Sequence, residues 1–189
     1  MPHLMFQVCD SQPADLNGDG LLDFVAADHI NAGFGYFMQD PSTSSVSFAA
    51  GQTVPFVGGG NSAGIVVDDF NFDGMPDVAN SDHPGIVTVR INGTPTGAAI
   101  GDVTFPTAGE TNVDLGVNHG ASHGFAGIEG GLVAADINTD GKLDIATANL
   151  GLNAAMDATS SILLNVTPDP VDDGMGNMIY APAPLTRAK

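Results

Sequence analysis

Three nine-residue stretches place carboxylates and one amide at alternate positions around a fixed glycine. They are Asp15-Leu16-Asn17-Gly18-Asp19-Gly20-Leu21-Leu22-Asp23, Asp69-Phe70-Asn71-Phe72-Asp73-Gly74-Met75-Pro76-Asp77 and Asp136-Ile137-Asn138-Thr139-Asp140-Gly141-Lys142-Leu143-Asp144. Packing has no use for this pattern, whereas a hard cation does. Ca2+ takes about 6–8 oxygen ligands, and a short loop can supply many of them from alternate side chains plus a backbone carbonyl. On this reading the first site uses Asp15, Asn17, Asp19, the carbonyl of Leu21, and Asp23. The second uses Asp69, Asn71, Asp73, the carbonyl of Met75, and Asp77; the third uses Asp136, Asn138, Asp140, the carbonyl of Lys142, and Asp144. The sixth-position glycine of each loop permits the sharp turn, because positive φ costs glycine little. A metal-free run of Asx turns would draw on the same residue types, but turn chemistry does not fix one spacing three times. The expected cofactor is therefore Ca2+, at three sites.

The flanks decide which kind of loop this is. An EF-hand needs a bidentate Glu at position 12, where this chain has Ala26, Asn80 and Thr147. The segments after the loops, Asp23–Asp28, Asp77–Asp82 and Asp144–Asn149, are short and stop at turn formers. Before two of the loops lie Gly64–Asp68 and Gly131–Ala135, short aliphatic runs bounded by glycine that read as buried strands. The unit is thus strand, calcium loop, strand, and the paired-helix dockerin loop fails for the same reason as the EF-hand.

The repeat extends past the loop. The loops begin at residues 15, 69 and 136, so 54 and 67 residues apart, and Asp28, Asp82 and Asn149 each follow the last loop Asp by five. Ile91-Asn92-Gly93-Thr94-Pro95 matches Leu164-Asn165-Val166-Thr167-Pro168, each closing an apolar strand, Ile86–Ile91 and Ser161–Leu164. The corresponding strand of the first unit is Phe34–Met38, and fourth strands are expected at Val46–Ala49, Val103–Phe105 and Met178–Ala181. Four short strands joined by Gly, Pro, Asn and Asp turns are the content of one propeller blade.

These units resemble the FG-GAP/VCBS repeat family, whose consensus Val133–Asn149 follows closely. The resemblance spans nearly all of residues 10–185 and implies β-propeller blades with structural Ca2+, as in integrin α-chain propellers and bacterial surface proteins. The expected fold class is all-β, with blades over residues 1–60, 61–130 and 131–189. A fold of this kind hosts adhesion, lectin and enzyme roles, so it does not fix one function. Propellers close with about 4–8 blades. Three blades leave sheet edges and apolar faces to be covered, by further blades of a longer chain or by self-association.

Composition narrows the partners. The chain has 189 residues, 43% of them hydrophobic, a net charge of −18 and only four Lys+Arg. Nine of the 22 acidic residues lie in the three loops; one Ca2+ in each would bring the net charge to about −12. The remaining excess speaks against nucleic acid, whose backbone requires cationic contacts, and against an anionic membrane surface. No apolar run approaches the ~18 residues of a membrane span, and residues 1–9 lack the basic and apolar regions of a signal peptide. Loops of this type suit extracellular calcium, with Kd on the order of 10⁻⁴–10⁻³ M, so an extracellular or cell-surface setting is expected. The one cysteine, Cys9, forms no intrachain disulfide.

Other motifs are weaker. His119 and His123 sit in a glycine-rich insertion, Gly116–Gly131, and read as a surface loop. His29 and His83 follow Asp28 and Asp82 and read as turn residues. Asn92 and Asn165 begin Asn-x-Thr sequons, which also make good strand-ending turns. No Gly-x-Ser-x-Gly elbow or phosphate loop is present, and the acidic pairs are better used as calcium ligands, so no enzymatic activity is expected. The absence of Trp, with only Tyr36 and Tyr180, weakens a lectin reading. The leading expectation is a calcium-stabilised structural, adhesive or self-assembling protein. A carbohydrate-binding module and a scaffold segment of a larger secreted enzyme are the alternatives.

Overall fold

The computed structural model describes residues 8–57, 60–83, 85–115, 131–149 and 159–188. Among these residues there are strands and turns but no helix. The first sheet holds β1 (Val8–Ala14), β2 (Asp23–Asp28), β3 (Gly33–Phe37) and β4 (Gln52–Pro55), in that order and antiparallel. The second repeats it with β5 (Asn61–Asp68), β6 (Asp77–His83), β7 (Ile86–Arg90) and β8 (Thr111–Asp114). The third orders β9 (Leu132–Ala135), β10 (Asp144–Asn149), β11 (Thr159–Asn165) and β14 (Leu185–Arg187). Between β11 and β14 a small hairpin pairs β12 (Val171–Asp172) with β13 (Met178–Ile179). These are three propeller-type blades that do not close a barrel.

Each motif loop joins the first strand of a blade to its second, and the registers make the blades superimposable. Asp23 pairs with Ala14, Asp77 with Asp68 and Asp144 with Ala135. Side chains alternate across each sheet, which sends successive residues to opposite neighbours. Val25, Ala27, Phe34 and Tyr36 of blade 1 pack with Ile65 and Val78 of blade 2. Val66, Ala79, Val87 and Val89, on the other face of blade 2, pack with Leu132, Ile145 and Leu163 of blade 3. The middle sheet is thus covered on both faces, as its nearly unbroken apolar strands require.

Two polar devices tie blade 1 to blade 2. On β1, the Asp10 carboxylate accepts from the Ile65 N–H at 3.1 Å and the Gln12 amide oxygen from the Val67 N–H at 2.9 Å, which satisfies donors along β5. Farther out, Arg90 is buried at 1% exposure. Its guanidinium pairs with Glu110, donates to the carbonyls of Pro55 at 2.8 Å and Phe105 at 3.2 Å, and lies 5.7 Å from the centre of the Phe56 ring. Glu110 in turn accepts from the Val57 N–H at 3.0 Å. No motif marks this clamp in the sequence, although Arg90 is the one cation in the strand Ile86–Arg90.

The fourth strands differ from expectation. Val46–Ala49 contributes only a single bridge, Phe48 to Gln39. Val103–Phe105 forms no strand: Val103 is buried in the core and the Phe105 ring packs edge-on against Phe34 at 5.0 Å. Met178–Ile179 pairs in the separate hairpin, not in the blade. The true outer strands, Gln52–Pro55, Thr111–Asp114 and Leu185–Arg187, are polar and half-solvated, so they carry little of the apolar alternation from which strands are read.

Candidate metal centres

The three loops share one hydrogen-bond scheme. The first-position carboxylate reaches forward over the turn. Asp15 accepts from the N–H of Asp19 at 3.1 Å and of Gly20 at 2.8 Å; Asp69 from Asp73 at 3.2 Å and Gly74 at 2.8 Å; Asp136 from Asp140 at 3.0 Å and Gly141 at 2.9 Å. The fifth-position carboxylates of Asp19, Asp73 and Asp140 accept from the N–H groups of Leu21, Met75 and Lys142 at 2.8–2.9 Å. They also accept the amides of Asn17, Asn71 and Asn138 at 3.2, 3.0 and 3.0 Å. The sixth-position glycines all have φ +85°. The fourth position is left-handed too, at Gly18 (φ 70°), Phe72 (φ 67°) and Thr139 (φ 63°), a second conformational demand that the spacing did not reveal.

The ninth-position Asp joins the loop to the third strand of its blade. Asp23 accepts from the N–H of Leu16 at 2.9 Å and of Gln39 at 2.8 Å. Asp77 accepts from Phe70 at 3.0 Å and Asn92 at 2.8 Å, and Asp144 from Ile137 at 3.0 Å and Asn165 at 2.8 Å. All three are buried. Burial pushes the Asp77 carboxyl up to about 8, against the lowering hydrogen bonds from Asn92 and Phe70, with the charges of Asp73 and Asp69 raising it further. Burial likewise raises Asp23 and Asp69. Loops 1 and 2 therefore concentrate negative charge beyond what their own N–H groups compensate.

The fit to a hard cation can be tested on these contacts. Every proposed ligand is an oxygen donor, the chemistry Ca2+ prefers. An ionised carboxylate has about four lone-pair sites, so one N–H bond per oxygen, or two at Asp144 Oδ2, leaves acceptor capacity at the first, fifth and ninth positions. Among the described residues the seventh-position carbonyls of Leu21, Met75 and Lys142 accept no hydrogen bond, and the buried Oδ1 of Asn17 has no partner. The donor chemistry suits such an ion. Their arrangement is looser than a closed cage, since among the described residues no three His, Cys, Asp or Glu side chains gather around one point. Asn17 faces Asp19 with its Nδ2 rather than its oxygen, so turning that amide is one adjustment that ligation requires.

The loops are also where the blades meet. The Asn92 amide of blade 2 donates to the carbonyl of Leu16 in loop 1 at 2.9 Å, and the Asn165 amide of blade 3 donates to the carbonyl of Phe70 in loop 2 at 2.8 Å. The Oδ1 of each accepts from the N–H two residues on, Thr94 or Thr167, at 3.0 Å. Loop 1 is further covered by blade 2, with the Asn17 amide donating to Ala98 at 2.7 Å and a Cβ on Gly18 meeting Thr96 at 2.7 Å. The two sequons thus prove to be buried clips between blades. Asn92 and Asn165 are 1% and 0% exposed, which closes them to a glycosyltransferase in the folded chain. Replacing either by Ala leaves a buried carbonyl and a turn unsatisfied, so a loss of about 1–3 kcal/mol is expected. Urea unfolding of Asn92→Ala and Asn165→Ala checks this, and midpoints unchanged from the parent would refute the clip.

The remaining candidates take lesser places. Asp28 accepts from the N–H groups of Ile30 at 3.1 Å and Asn31 at 3.2 Å, and Asp82 from Ile86 at 3.2 Å and Gly60 at 2.8 Å, so both fasten turns. His29 lies 3.2 Å from the Ser62 carbonyl oxygen, and Cys9 lies exposed on β1. Lys142 reaches its own blade's turn, to the Thr167 carbonyl and 3.3 Å from Asp169. His119, His123 and nearly all of their glycine-rich insertion, and the side chains of His83 and Asn149, lie outside the described residues. Among the described residues no helix is long and apolar enough to cross a membrane.

Residues 15–80 match the family model of the FG-GAP-like repeat. The match runs from the first residue of loop 1, through loop 2, into β6. No curated protein matches the chain.

Proposed function

We propose that this FG-GAP-like repeat module is an extracellular, calcium-stabilised protein with a structural or adhesive role, its ions acting as clips and not as catalysts. One observation supports the reading above the others: three oxygen-donor loops in which the first- and fifth-position carboxylates make the same hydrogen bonds, two of them pinned by the next blade through Asn92 and Asn165. An ion in such a loop would supply positive charge where Asp, Asn and backbone oxygens crowd. The chain's own residues do the rest: Asp23, Asp77 and Asp144 tie each loop to its third strand, and the Asn clips transmit that order across the blade interface. Electrostatics point the same way, since a chain with net charge −18 gains cohesion from divalent cations.

The direct test is calorimetric titration of the chelator-stripped chain with Ca2+. Uptake of three ions, with Kd on the order of 10⁻⁴–10⁻³ M, is the expected result. Substituting the fifth-position Asp of one loop, as in Asp73→Ala, removes one equivalent and leaves the other two. A chain that takes up no calcium at millimolar concentration would overturn the reading.

A further inference from the structure

Comparing equivalent positions in the three blades shows one contact made twice and left half-made at each end. Ile162 of blade 3 corresponds by register to Val89 of blade 2, yet it is 37% exposed while Val89 is fully buried. Val133 is 57% exposed where its counterpart Val66 is 7%. In the loops, Ile137 is 41% exposed where Leu16 and Phe70 are both at 0%. The face of blade 3 that points away from blade 2 is therefore the surface that blades 1 and 2 each bury beneath the next blade. At the other end, Phe24 of blade 1 is 37% exposed where its counterparts Val78 and Ile145 are fully buried.

The polar clip is unfinished in the same way. Asn92 donates to the Leu16 carbonyl and Asn165 to the Phe70 carbonyl. The third acceptor in this series is the carbonyl of Ile137, to which no described residue donates. The donor position in blade 1 is Gln39, whose N–H bonds Asp23 just as those of Asn92 and Asn165 bond Asp77 and Asp144. Gln39 also carries an amide, one methylene longer, and among the described residues that amide makes no hydrogen bond.

Resting on the reading of the chain as a blade module, we propose that a second copy of the chain completes this contact head to tail. The outward face of blade 3 takes the outward face of blade 1 of the next copy, with Gln39 donating to the Ile137 carbonyl. Two such contacts close a ring of two chains and six blades, within the roughly 4–8 blades of closed propellers. The interface is heterologous, so each chain uses two different surfaces. It continues the packing already present between blades 1 and 2 and between blades 2 and 3.

Sedimentation equilibrium on the full chain in calcium tests this, with a two-chain mass of about 38 kDa expected from 19.1 kDa per chain. Ile162→Asp and Phe24→Asp alter exposed positions on opposite faces. Each is expected to weaken association at least ten-fold while melting within a few degrees of the parent. An equimolar mixture of the two variants regains a two-chain species, because each retains one intact face. A parent monomer at about 100 µM, a dimer that survives either single substitution, or a mixture that stays monomeric would overturn the pairing. Open-ended growth beyond two chains would overturn the closed ring. Calcium uptake is read separately by calorimetry, so a monomer that binds three ions refutes the pairing and leaves the proposed function standing.

Discussion

Transferring the chain from about 10 mM calcium to chelator is expected to lower its melting temperature by roughly 8–32 °C. A ligand that binds only the folded state stabilises by RT ln(1 + [L]/Kd). With Kd on the order of 10⁻⁴–10⁻³ M, each loop then contributes about 1.4–2.7 kcal/mol, and three contribute about 4–8 kcal/mol. For a chain of this size each kcal/mol moves the midpoint by about 2–4 °C. The sign follows from the site. Asp23, Asp69 and Asp77 are held above their ordinary carboxylate range, chiefly by burial and further by neighbouring carboxylates, so a cation opposes the two effects that disfavour their charged forms. The ninth-position Asp residues tie the loops to the third strands, so the stabilisation extends to the sheets. Differential scanning calorimetry at fixed ionic strength measures this, with magnesium as a control, because its preference for near-octahedral, partly hydrated sites suits these loops poorly. Equal midpoints in calcium and chelator would sink the proposed role of the ions.

Replacing Arg90 by Met should cost about 3–5 kcal/mol, because it strands the buried Glu110 carboxylate without its cation. The substitution also removes the hydrogen bonds to Pro55 and Phe105 that cross from β7 to the end of blade 1 and the blade 2 loop. The corresponding fall in melting temperature is roughly 6–20 °C. Adding Glu110→Gln should recover much of the loss. A neutral amide still accepts from the Val57 N–H and the Asn112 amide, now bonded to Glu110 at 3.0 and 2.9 Å, and it removes the uncompensated charge. The single variant, the double variant and Glu110→Gln alone form a thermodynamic cycle in urea. A single variant as stable as the parent would show that Phe56 and its neighbours, not the ion pair, hold the two blades.

The three loops and the blade content were legible because each rests on a local rule. Alternate Asp and Asn with a sixth-position Gly describe a turn whose internal hydrogen bonds lie within nine residues, so spacing alone exposes the turn. The second and third strands of each blade were legible because burial on both faces leaves largely apolar runs such as Ile86–Val89, broken only by Thr88. The outer strands were not, since Gln52–Pro55 and Thr111–Asp114 pair at an edge where polar residues suffice. The roles of Asn92 and Asn165 were misleading in sequence, because a sequon and a blade clip are the same residue types, and only burial separates them.

The sequence by itself determined the repeat, its Asp- and Asn-rich turns and an acidic all-β chain, because periodicity and side-chain chemistry are carried residue by residue. Only the tertiary structure decided which groups those residues serve. Asp77 proved to bind the backbone of its own loop and third strand, Arg90 to join two blades, and Ile162 and Ile137 to lie exposed where their counterparts Val89, Leu16 and Phe70 are buried. The physical reason is distance along the chain. The clip from Asn165 to Phe70 spans 95 residues, and its partner is fixed only when one blade packs on the next.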